Sequence, residues 1–212
     1  QRQNERLEEF ASIVSHDLRN PLNVASGATE LLAEEHDSPQ IDRITDALDR
    51  MEQLIEALLT LARKGQVVGE TEFVDLADAA RDAWQVVDAP SATMTVEGSV
   101  GVVADRNRLI ELFENLFRNA VEHGGETVTV EVGVREAGDG FYVADDGAGF
   151  GTSDTERLFD MGYSGADGTG YGLYIVSTIA ESHGWTVTAG AGEDGGARFD
   201  VSGVGIERLG PE

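Results

Sequence analysis

Apolar residues in the first 62 positions recur at helical spacing, and this pattern predicts two long helices. In the first stretch the apolar positions lie three, four or seven residues apart: Leu7, Phe10, Val14, Leu18, Leu22, Ala25 and Leu32. Ser38 and Pro39 then indicate a turn and a helix start. The second stretch alternates spacings of three and four: Ile41, Ile44, Leu48, Met51, Ile55, Leu58 and Ala62. The two helices predict an antiparallel hairpin, and a dimeric four-helix bundle would bury the apolar surface that one hairpin leaves exposed.

A linker is predicted at residues 65–69, after which short alternating runs indicate helices packed on strands. The predicted domains are therefore a dimerisation hairpin at residues 1–65 and an α/β sandwich at residues 66–212. The predicted helices are residues 76–87, 106–123 with Asp105 as N-cap, and 172–183. The predicted strands are residues 93–96, 100–104, 127–134, 141–144, 185–189 and 197–201, with a frayed tail from about residue 207.

Composition limits the partners that the chain can bind. The formal net charge is −25, from 40 acidic and 15 basic residues, so neither nucleic acid nor an anionic membrane is an expected partner. There is no cysteine, which excludes disulfides and cysteine nucleophiles, and no apolar run reaches membrane-spanning length. The acids lie in patterned segments with 41% hydrophobic residues, which argues against a disordered tail. We expect a protein from a high-salt cytoplasm, where surface repulsion is screened; an acidic protein from an ordinary cytoplasm is the alternative. Because the first residue is Gln, we expect the chain to be part of a longer protein.

A histidine on the first predicted helix is a candidate nucleophile. His16 lies two residues from both Val14 and Leu18, and two helical residues turn through about 200°, so the imidazole faces away from the apolar stripe. Asp17 beside it could orient one ring nitrogen or take its proton, leaving the other nitrogen to attack phosphorus. Pro21 removes one backbone donor and can bend the helix. On these residues alone, an ordinary surface histidine is the alternative.

Two asparagines on a later predicted helix are candidate metal ligands. Asn115 and Asn119 are four residues apart and share one helix face. Neutral amide oxygens suit a hard cation that also carries phosphate oxygens and water, as Mg²⁺ does. Solvated or capping asparagines are the alternative on the spacing alone.

An acidic residue and two glycines follow a predicted strand directly. The carboxylate of Asp145 could accept a hydrogen bond from an adenine amino group, while Gly147 and Gly149 would let the backbone approach the base. A tight turn of Asp and Gly is the alternative.

A second glycine-rich segment precedes the apolar helix that begins near Leu173. Gly168, Gly170 and Gly172 would place backbone N–H groups at a helix N-terminus, which forms an anion site. An isolated Gly-x-Gly-x-Gly string is a weak signal, but a Rossmann fingerprint would be expected early in the chain rather than late.

Taken in this order, these segments resemble the catalytic core of a sensor histidine kinase. Residues 10–22 are similar to the family's phosphoacceptor box, in which an acid follows the histidine and a proline comes five residues after it. Residues 115–120 resemble its N box, residues 145–149 and 168–173 its glycine boxes, and residues 157–160 its Phe box. The resemblance covers nearly the whole chain.

The resemblance implies both a fold and an activity. The hairpin would form the dimeric four-helix bundle, and a Bergerat-type α/β sandwich, as in gyrase-like ATPases, would bind ATP. Mg-ATP would phosphorylate His16, and the phosphoryl group would pass to an aspartate in the receiver domain of a cognate response regulator. Asp17 and Asn20 match the family pattern for phosphatase activity on that regulator, and the expected location is cytoplasmic, without direct membrane contact.

The resemblance also implies roles for the later residues. Asn115 and Asn119 would hold Mg²⁺ and the triphosphate, and Asp145 would recognise adenine. Where the family often has lysine this chain has Glu122, so His123 and Arg118 are the nearby candidates for phosphate contact. The other implied ATP contacts lie in the boxes and in a lid at residues 151–171: Gly147, Gly149, Phe159, Gly168, Gly170, Gly172 and Leu173.

Two other functions remain open. A degenerate dimeric signalling scaffold that binds nucleotide poorly would fit Glu122 and the unusual Tyr171 of the lid. A Bergerat-type ATPase would need a carboxylate base on the asparagine helix, which Glu111 could supply. That ATPase would not need an exposed histidine on a helical hairpin.

Overall fold

The computed structural model describes the chain from the first helix to the last strand, with gaps. The described residues are 18, 20–29, 31–33, 36, 38–62, 69–87, 89–98, 100–125, 127–150, 155–163, 170–192 and 195–208. His16, Asp17 and Gly168 lie outside these ranges, so their predicted roles stay predictions.

Two helices form the predicted hairpin. Helix α1 comprises the helical residues 20–29 and 31–33, and helix α2 spans Pro39–Ala62. The Ser38 hydroxyl accepts a hydrogen bond from the Gln40 backbone N–H at 3.3 Å, which caps the start of α2. A small apolar cluster joins the two helices: Leu22, Ala25, Leu48 and Ile55. No helix in the described part of the chain is both long and apolar enough to cross a membrane.

Two β-sheets follow the hairpin. The strands of the described chain are β1 Glu72–Asp75, β2 Thr93–Val96, β3 Val100–Ala104, β4 Thr129–Val134, β5 Gly140–Asp145, β6 Thr186–Ala191, β7 Ala197–Ser202 and β8 Ile206–Arg208. One sheet has the order β1-β3-β8 and is antiparallel. The other has the order β2-β4-β5-β7-β6, with β2 parallel to β4 and the remaining pairs antiparallel. Val132 lies opposite Val143, which lies opposite Phe199, so one face of this sheet is continuously apolar.

Helices cover that apolar face. They are α3 Leu76–Trp84, α4 Arg106–Gly124 and α5 Gly172–Ser182, together with a 3₁₀ helix at Thr155–Phe159. The Asp75 and Asp105 carboxylates cap α3 and α4 by accepting two backbone N–H bonds each. Helix α4 packs between α3 and α5 on the sheet, which places the asparagine helix in the centre of the helical layer.

Aromatic rings tie the two layers together. Phe113 of α4 stacks on Phe117 and contacts Phe141 of β5, with both pairs of ring centroids 5.5 Å apart. The ring of Trp84 meets Phe117 edge-on at 5.3 Å, which joins α3 to the same cluster. Because aromatic pairs add to the stabilisation from area burial, this cluster fixes the middle of α4 against the sheet.

The other face of the five-stranded sheet is polar. The Tyr142 hydroxyl donates a hydrogen bond to Glu131 on the neighbouring strand, and the Arg198 guanidinium lies 3.8 Å from the Tyr142 ring centroid. Burial, followed by the hydrogen bond to Glu131, raises the pKa of Tyr142 well above its ordinary value.

The structure differs from the prediction at three points. Helix α3 ends at Trp84 rather than at Val87, because the Val87 N–H bonds the Trp84 carbonyl in a turn ahead of Pro90. Strand β1 was not predicted, and the frayed tail predicted from about residue 207 is wrong for the residues that form β8. Both strands are short and lie at the edges of their sheet, where pairing with β3 rather than local pattern determines them.

Candidate functional site

Three predicted site residues lie along one face of α4. Asn115, Asn119 and His123 follow one another at intervals of four residues, about one helical turn each. Asn115 is buried, Asn119 is half-buried and His123 is exposed in the last turn. This face therefore runs from the core to the surface, as a site for a partly exposed ligand requires.

The Asn115 amide has a defined orientation. Its Nδ2 donates a hydrogen bond to the Glu111 carbonyl oxygen at 2.8 Å, so Oδ1 points away from that carbonyl. A Cβ built on Gly172 would lie 3.4 Å from this Oδ1. The asparagine thus presents a neutral oxygen to the first residue of α5.

The Asp145 carboxylate is held at the end of β5. Its Oδ1 accepts hydrogen bonds from the backbone N–H groups of Gly147 at 2.9 Å and Ala197 at 3.1 Å. Both of these bonds use the same oxygen, so among the described residues Oδ2 remains an acceptor on a carboxylate of fixed orientation. Such an oxygen suits an amino group of a planar ring.

Close glycine contacts bring the glycine box after β5 against its neighbours. A Cβ on Gly147 would lie 2.5 Å from the Cα of Gly124, the last residue of α4. Gly149 has a φ of +65°, and a Cβ there would lie 2.6 Å from the Gly195 carbonyl oxygen. Glycine is needed at both positions, and the contacts join the box to the end of α4 and to the loop before β7.

The start of α5 lies beside the asparagine face. Tyr171 precedes the helix, and its own side chain makes no capping bond to the first turn. Gly170 has a φ of +71°, and its carbonyl oxygen accepts a bond from the Gly162 N–H at 3.1 Å. The N–H groups at a helix N-terminus are a favourable position for a phosphate.

The candidate base of the alternative ATPase is engaged in an ion pair. Glu111 Oε2 lies 2.7 Å from Arg108 Nη1, and both side chains are about one quarter exposed. The Glu111 carbonyl oxygen also holds the Asn115 amide. The Glu111 carboxylate is therefore held by Arg108 near the start of α4, which makes it less suitable as the base that takes a proton from water.

Other predicted contacts lie around this centre. Arg118 is half-buried and Glu122 exposed on the second half of α4. The Phe159 ring meets Phe199 edge-on with centroids 6.5 Å apart, and Leu173 packs on the core, so both support the site from its apolar side. Their contact with nucleotide stays a prediction.

Of the three candidate catalytic residues of the phosphoacceptor box, His16, Asp17 and Asn20, the described part of the chain includes Asn20. Asn20 is on α1 with an exposed side chain, which is the exposure that a contact with a docked partner requires.

The side chains of this site could hold Mg²⁺ only if a bound nucleotide supplied further ligands. The described residues contain no group of three or more His, Asp or Glu side chains that could hold a metal ion. The Asn115 oxygen beside the start of α5 suits a cation that brings phosphate and water ligands with it.

Two residues of the site were not predicted. Gly196 is needed because a Cβ there would clash with the Asp145 carbonyl oxygen, and Ala197 supplies the N–H that holds Asp145 Oδ1. The available signal was the Gly195-Gly196 doublet directly before a predicted strand, which is typical of close backbone approach.

Two family descriptions match this chain. Residues 6–67 match the His Kinase A (phospho-acceptor) domain, and residues 104–203 match the Histidine kinase-, DNA gyrase B-, and HSP90-like ATPase. The second match contains α4, the glycine box after β5 and α5, which together form the site described above.

Similar curated proteins span both regions. The sensor histidine kinase ZraS of Klebsiella oxytoca is 32% identical over 209 residues, which are 91% of this chain and 45% of that protein. The methanogenesis regulatory histidine kinase FilI of Methanothrix harundinacea is 32% identical over 200 residues, 85% of this chain and 23% of that protein. The chain thus spans less than half the length of these relatives.

Solved structures share the fold. Full-length ShkA in complex with AMPPNP has a TM-score of 0.63 at 25% identity and covers 95% of this chain and 47% of that one. The mycobacterial sensor histidine kinase MprB has a TM-score of 0.56 at 20% identity and covers 65% and 98% respectively. The chain belongs to the sensor histidine kinases: a helical phosphoacceptor region is followed by the predicted α/β ATP-binding domain.

Proposed function

We propose that this chain binds Mg-ATP between α4, the turn after β5 and the start of α5, and transfers the γ-phosphoryl group to His16. The convergence of these three segments carries the proposal. Asn115 Oδ1 faces Gly172, and Gly147 touches Gly124 at the end of α4. Membership of the histidine kinase family supplies the reaction class, and the domains fall at residues 1–65 and 66–212.

Each part of the site has one task in this proposal. Asp145 Oδ2 accepts the adenine amino group, and the N–H groups at the start of α5 receive the phosphates. Asn115 and Asn119 hold Mg²⁺, which when bound neutralises charge on the phosphate oxygens. Arg118 and His123 are the basic residues on the same half of α4 and take the place of the lysine that the family often has.

The phosphoacceptor step needs a neutral imidazole. One ring nitrogen of His16 attacks the γ-phosphorus, a nitrogen–phosphorus bond forms, and the bond from phosphorus to the bridging oxygen breaks, so that ADP leaves. Asp17 holds the N–H of the other ring nitrogen and stabilises the charge that develops on the ring. An aspartate of a receiver domain then takes the phosphoryl group and returns His16 to its neutral form. Since ATP and receiver domains are cytoplasmic, this part of the protein lies in the cytoplasm.

The hairpin supports a homodimer. Along the α2 seam Leu48 and Ile55 are buried against α1, while Ile44 and Met51 are 49% and 45% exposed. Each pair is seven residues apart, so among these four residues one position of the heptad packs within the hairpin and the other, the outward half of the seam, faces away from it. A second copy packed on that half completes a four-helix bundle.

Asn20 gives the helix that carries His16 a second activity, the dephosphorylation of the regulator. It lies four residues after His16, about one helical turn along the same face, where its amide can hold a water in line with a phosphoaspartate. Asn20→Ala should keep autophosphorylation and lose regulator dephosphorylation in the presence of ADP. If the variant and the parent clear the phosphoaspartate equally fast, Asn20 has no role in phosphatase chemistry.

Labelled nucleotide distinguishes this kinase from the two other functions. The protein is incubated in high salt with γ-labelled ATP or with α-labelled ATP, and then with a receiver domain. A kinase incorporates acid-labile label from γ-labelled ATP alone and passes it to the receiver domain. A degenerate scaffold incorporates neither label, and an ATPase releases labelled phosphate without labelled protein; either result would refute the proposal.

A further inference from the structure

His183, at the end of α5, uses both ring nitrogens in hydrogen bonds to backbone. Its Nδ1 lies 2.9 Å from the Ile179 carbonyl oxygen one turn earlier. Its Nε2 accepts a bond from the Asp105 N–H at 3.1 Å, from a residue 78 positions away in sequence. The side chain therefore joins the end of α5 to the start of α4.

These two partners fix the tautomer. A carbonyl oxygen only accepts, so Nδ1 must carry the proton and donate to Ile179. A backbone N–H only donates, so Nε2 must be unprotonated. The ring is consequently held neutral in one tautomer, and it is further held by stacking on Trp185, with centroids 4.2 Å apart and planes 23° apart.

The bond falls on the N-cap residue of the asparagine helix. The Asp105 carboxylate accepts bonds from the Asn107 and Arg108 N–H groups and so begins α4. The Asp105 N–H itself lies before the helix and has no partner within it. His183 satisfies this donor and ties the N-cap residue of α4 to the end of α5.

We infer that His183 is a positioning residue for phosphoryl transfer. It fixes the start of α4 against the end of α5, and so sets where Asn115 and Asn119 meet the phosphates and Mg²⁺. This inference rests on the nucleotide site proposed above. The Asp145 carboxylate at the adenine end of that site is held by the N–H groups of Gly147 and Ala197, which are not part of α4.

A small change in the position of α4 relative to α5 is enough to matter. Asn115 Oδ1 faces Gly172, the first residue of α5, so a shift of α4 changes this spacing directly. A misplacement of about 1 Å can cost about 100-fold in rate.

Three proteins test the inference: the parent, His183→Phe and His183→Gln. The phenyl ring keeps the stack on Trp185 but has no acceptor for the Asp105 N–H. The glutamine amide oxygen reaches about as far as Nε2 and restores the acceptor without the ring. For each protein, calorimetry in high salt measures the affinity for Mg-ATP and for adenosine, and Asn119→Ala serves as the reference for a damaged phosphate site.

His183→Phe should weaken Mg-ATP binding by about tenfold or more and change adenosine binding by less than about twofold, as Asn119→Ala should. His183→Gln should stay close to the parent for both ligands. The inference is wrong if His183→Phe keeps its preference for Mg-ATP, if it weakens both ligands equally, or if His183→Gln fails like His183→Phe. If the parent itself binds Mg-ATP no better than adenosine, the nucleotide site is wrong, and His183 has no phosphate site to position.

Discussion

The Asp145 carboxylate acts through two oxygens with different surroundings. Oδ1 accepts two backbone N–H bonds that hold the group, and Oδ2 is the acceptor proposed for adenine. In Asp145→Asn the retained oxygen can keep both backbone bonds, while the new amide nitrogen turns an acceptor into a donor. That donor cannot accept the adenine amino group but can bond the guanine oxygen.

Asp145→Asn should therefore reduce the preference for ATP over GTP by about tenfold or more, the loss expected when a buried hydrogen bond is replaced by two opposed donors. Competition binding with the two nucleotides measures it. Asp146→Asn is the matched control, because the neighbouring Asp146 is exposed and bonds the Thr129 N–H instead. An unchanged preference in Asp145→Asn would show that Asp145 does not recognise the base.

Tyr142 makes the free energy of unfolding decrease at alkaline pH. Burial and the bond to Glu131 raise its pKa in the folded state above the value of about 10 in the unfolded chain. Above about pH 10 the unfolded chain loses this proton while the folded protein retains it, so stability falls as the pH rises. In Tyr142→Phe the ring under Arg198 remains but the proton is absent. Urea unfolding at about pH 8 and about pH 11 should show a smaller loss of free energy for Tyr142→Phe than for the parent. Equal losses of free energy in the two proteins would contradict the raised pKa of Tyr142.

Local sequence signals determine most of the elements. Helix α4 was predicted with its N-cap because Asp105 precedes a regular apolar face, and the capping bonds confirm that prediction. Strands β1 and β8 were not predicted, because both are edge strands whose stability comes from pairing with β3 rather than from local pattern. The same limit applies to the site. The order of the motifs in the sequence predicted that Asn115, Asp145 and Gly172 belong to one site. The bond from the Ala197 N–H to Asp145 could not be predicted, because it joins backbone segments that are distant in the sequence.

The outward half of the α2 seam predicts the oligomeric state. Ile44→Asp should weaken the dimer by at least about 100-fold, since burial of one such side chain contributes about 1.5–3 kcal/mol and a dimer contains two copies. Sedimentation equilibrium measures the dissociation constant. Thr45→Asp is the matched control, as Thr45 is exposed one residue further along α2 and off the seam. Equal dimerisation of Ile44→Asp and the parent would rule out this face.

For the whole molecule, the net charge of −25 predicts that salt stabilises the fold. The Debye length falls from about 10 Å at 0.1 M salt to about 3 Å at 1 M, so repulsion between surface carboxylates is largely screened at the higher concentration. Isolated surface ion pairs such as Arg81 with Asp78 weaken over the same range but contribute little. The free energy of unfolding should therefore rise between about 0.1 and 1 M KCl. A flat or falling value would remove the reason to expect a high-salt protein.

The proposed phosphoryl transfer involves both halves of the molecule, since the proposed ATP site and His16 lie in different predicted domains. The chain has four histidines, and His183 is unsuited as an acceptor because both of its ring nitrogens are engaged. His36 is exposed near the turn between α1 and α2, with no proposed role, and makes a matched control for His16.

The most direct measurement is incorporation of acid-labile label from γ-labelled ATP into the parent, His16→Gln and His36→Gln, with Mg-ATP affinity measured on the same preparations. The parent and His36→Gln should be labelled, His16→Gln should not be, and all three should bind Mg-ATP equally well. Label that persists on His16→Gln at the level of the parent would contradict the assignment of His16 as the phosphoacceptor.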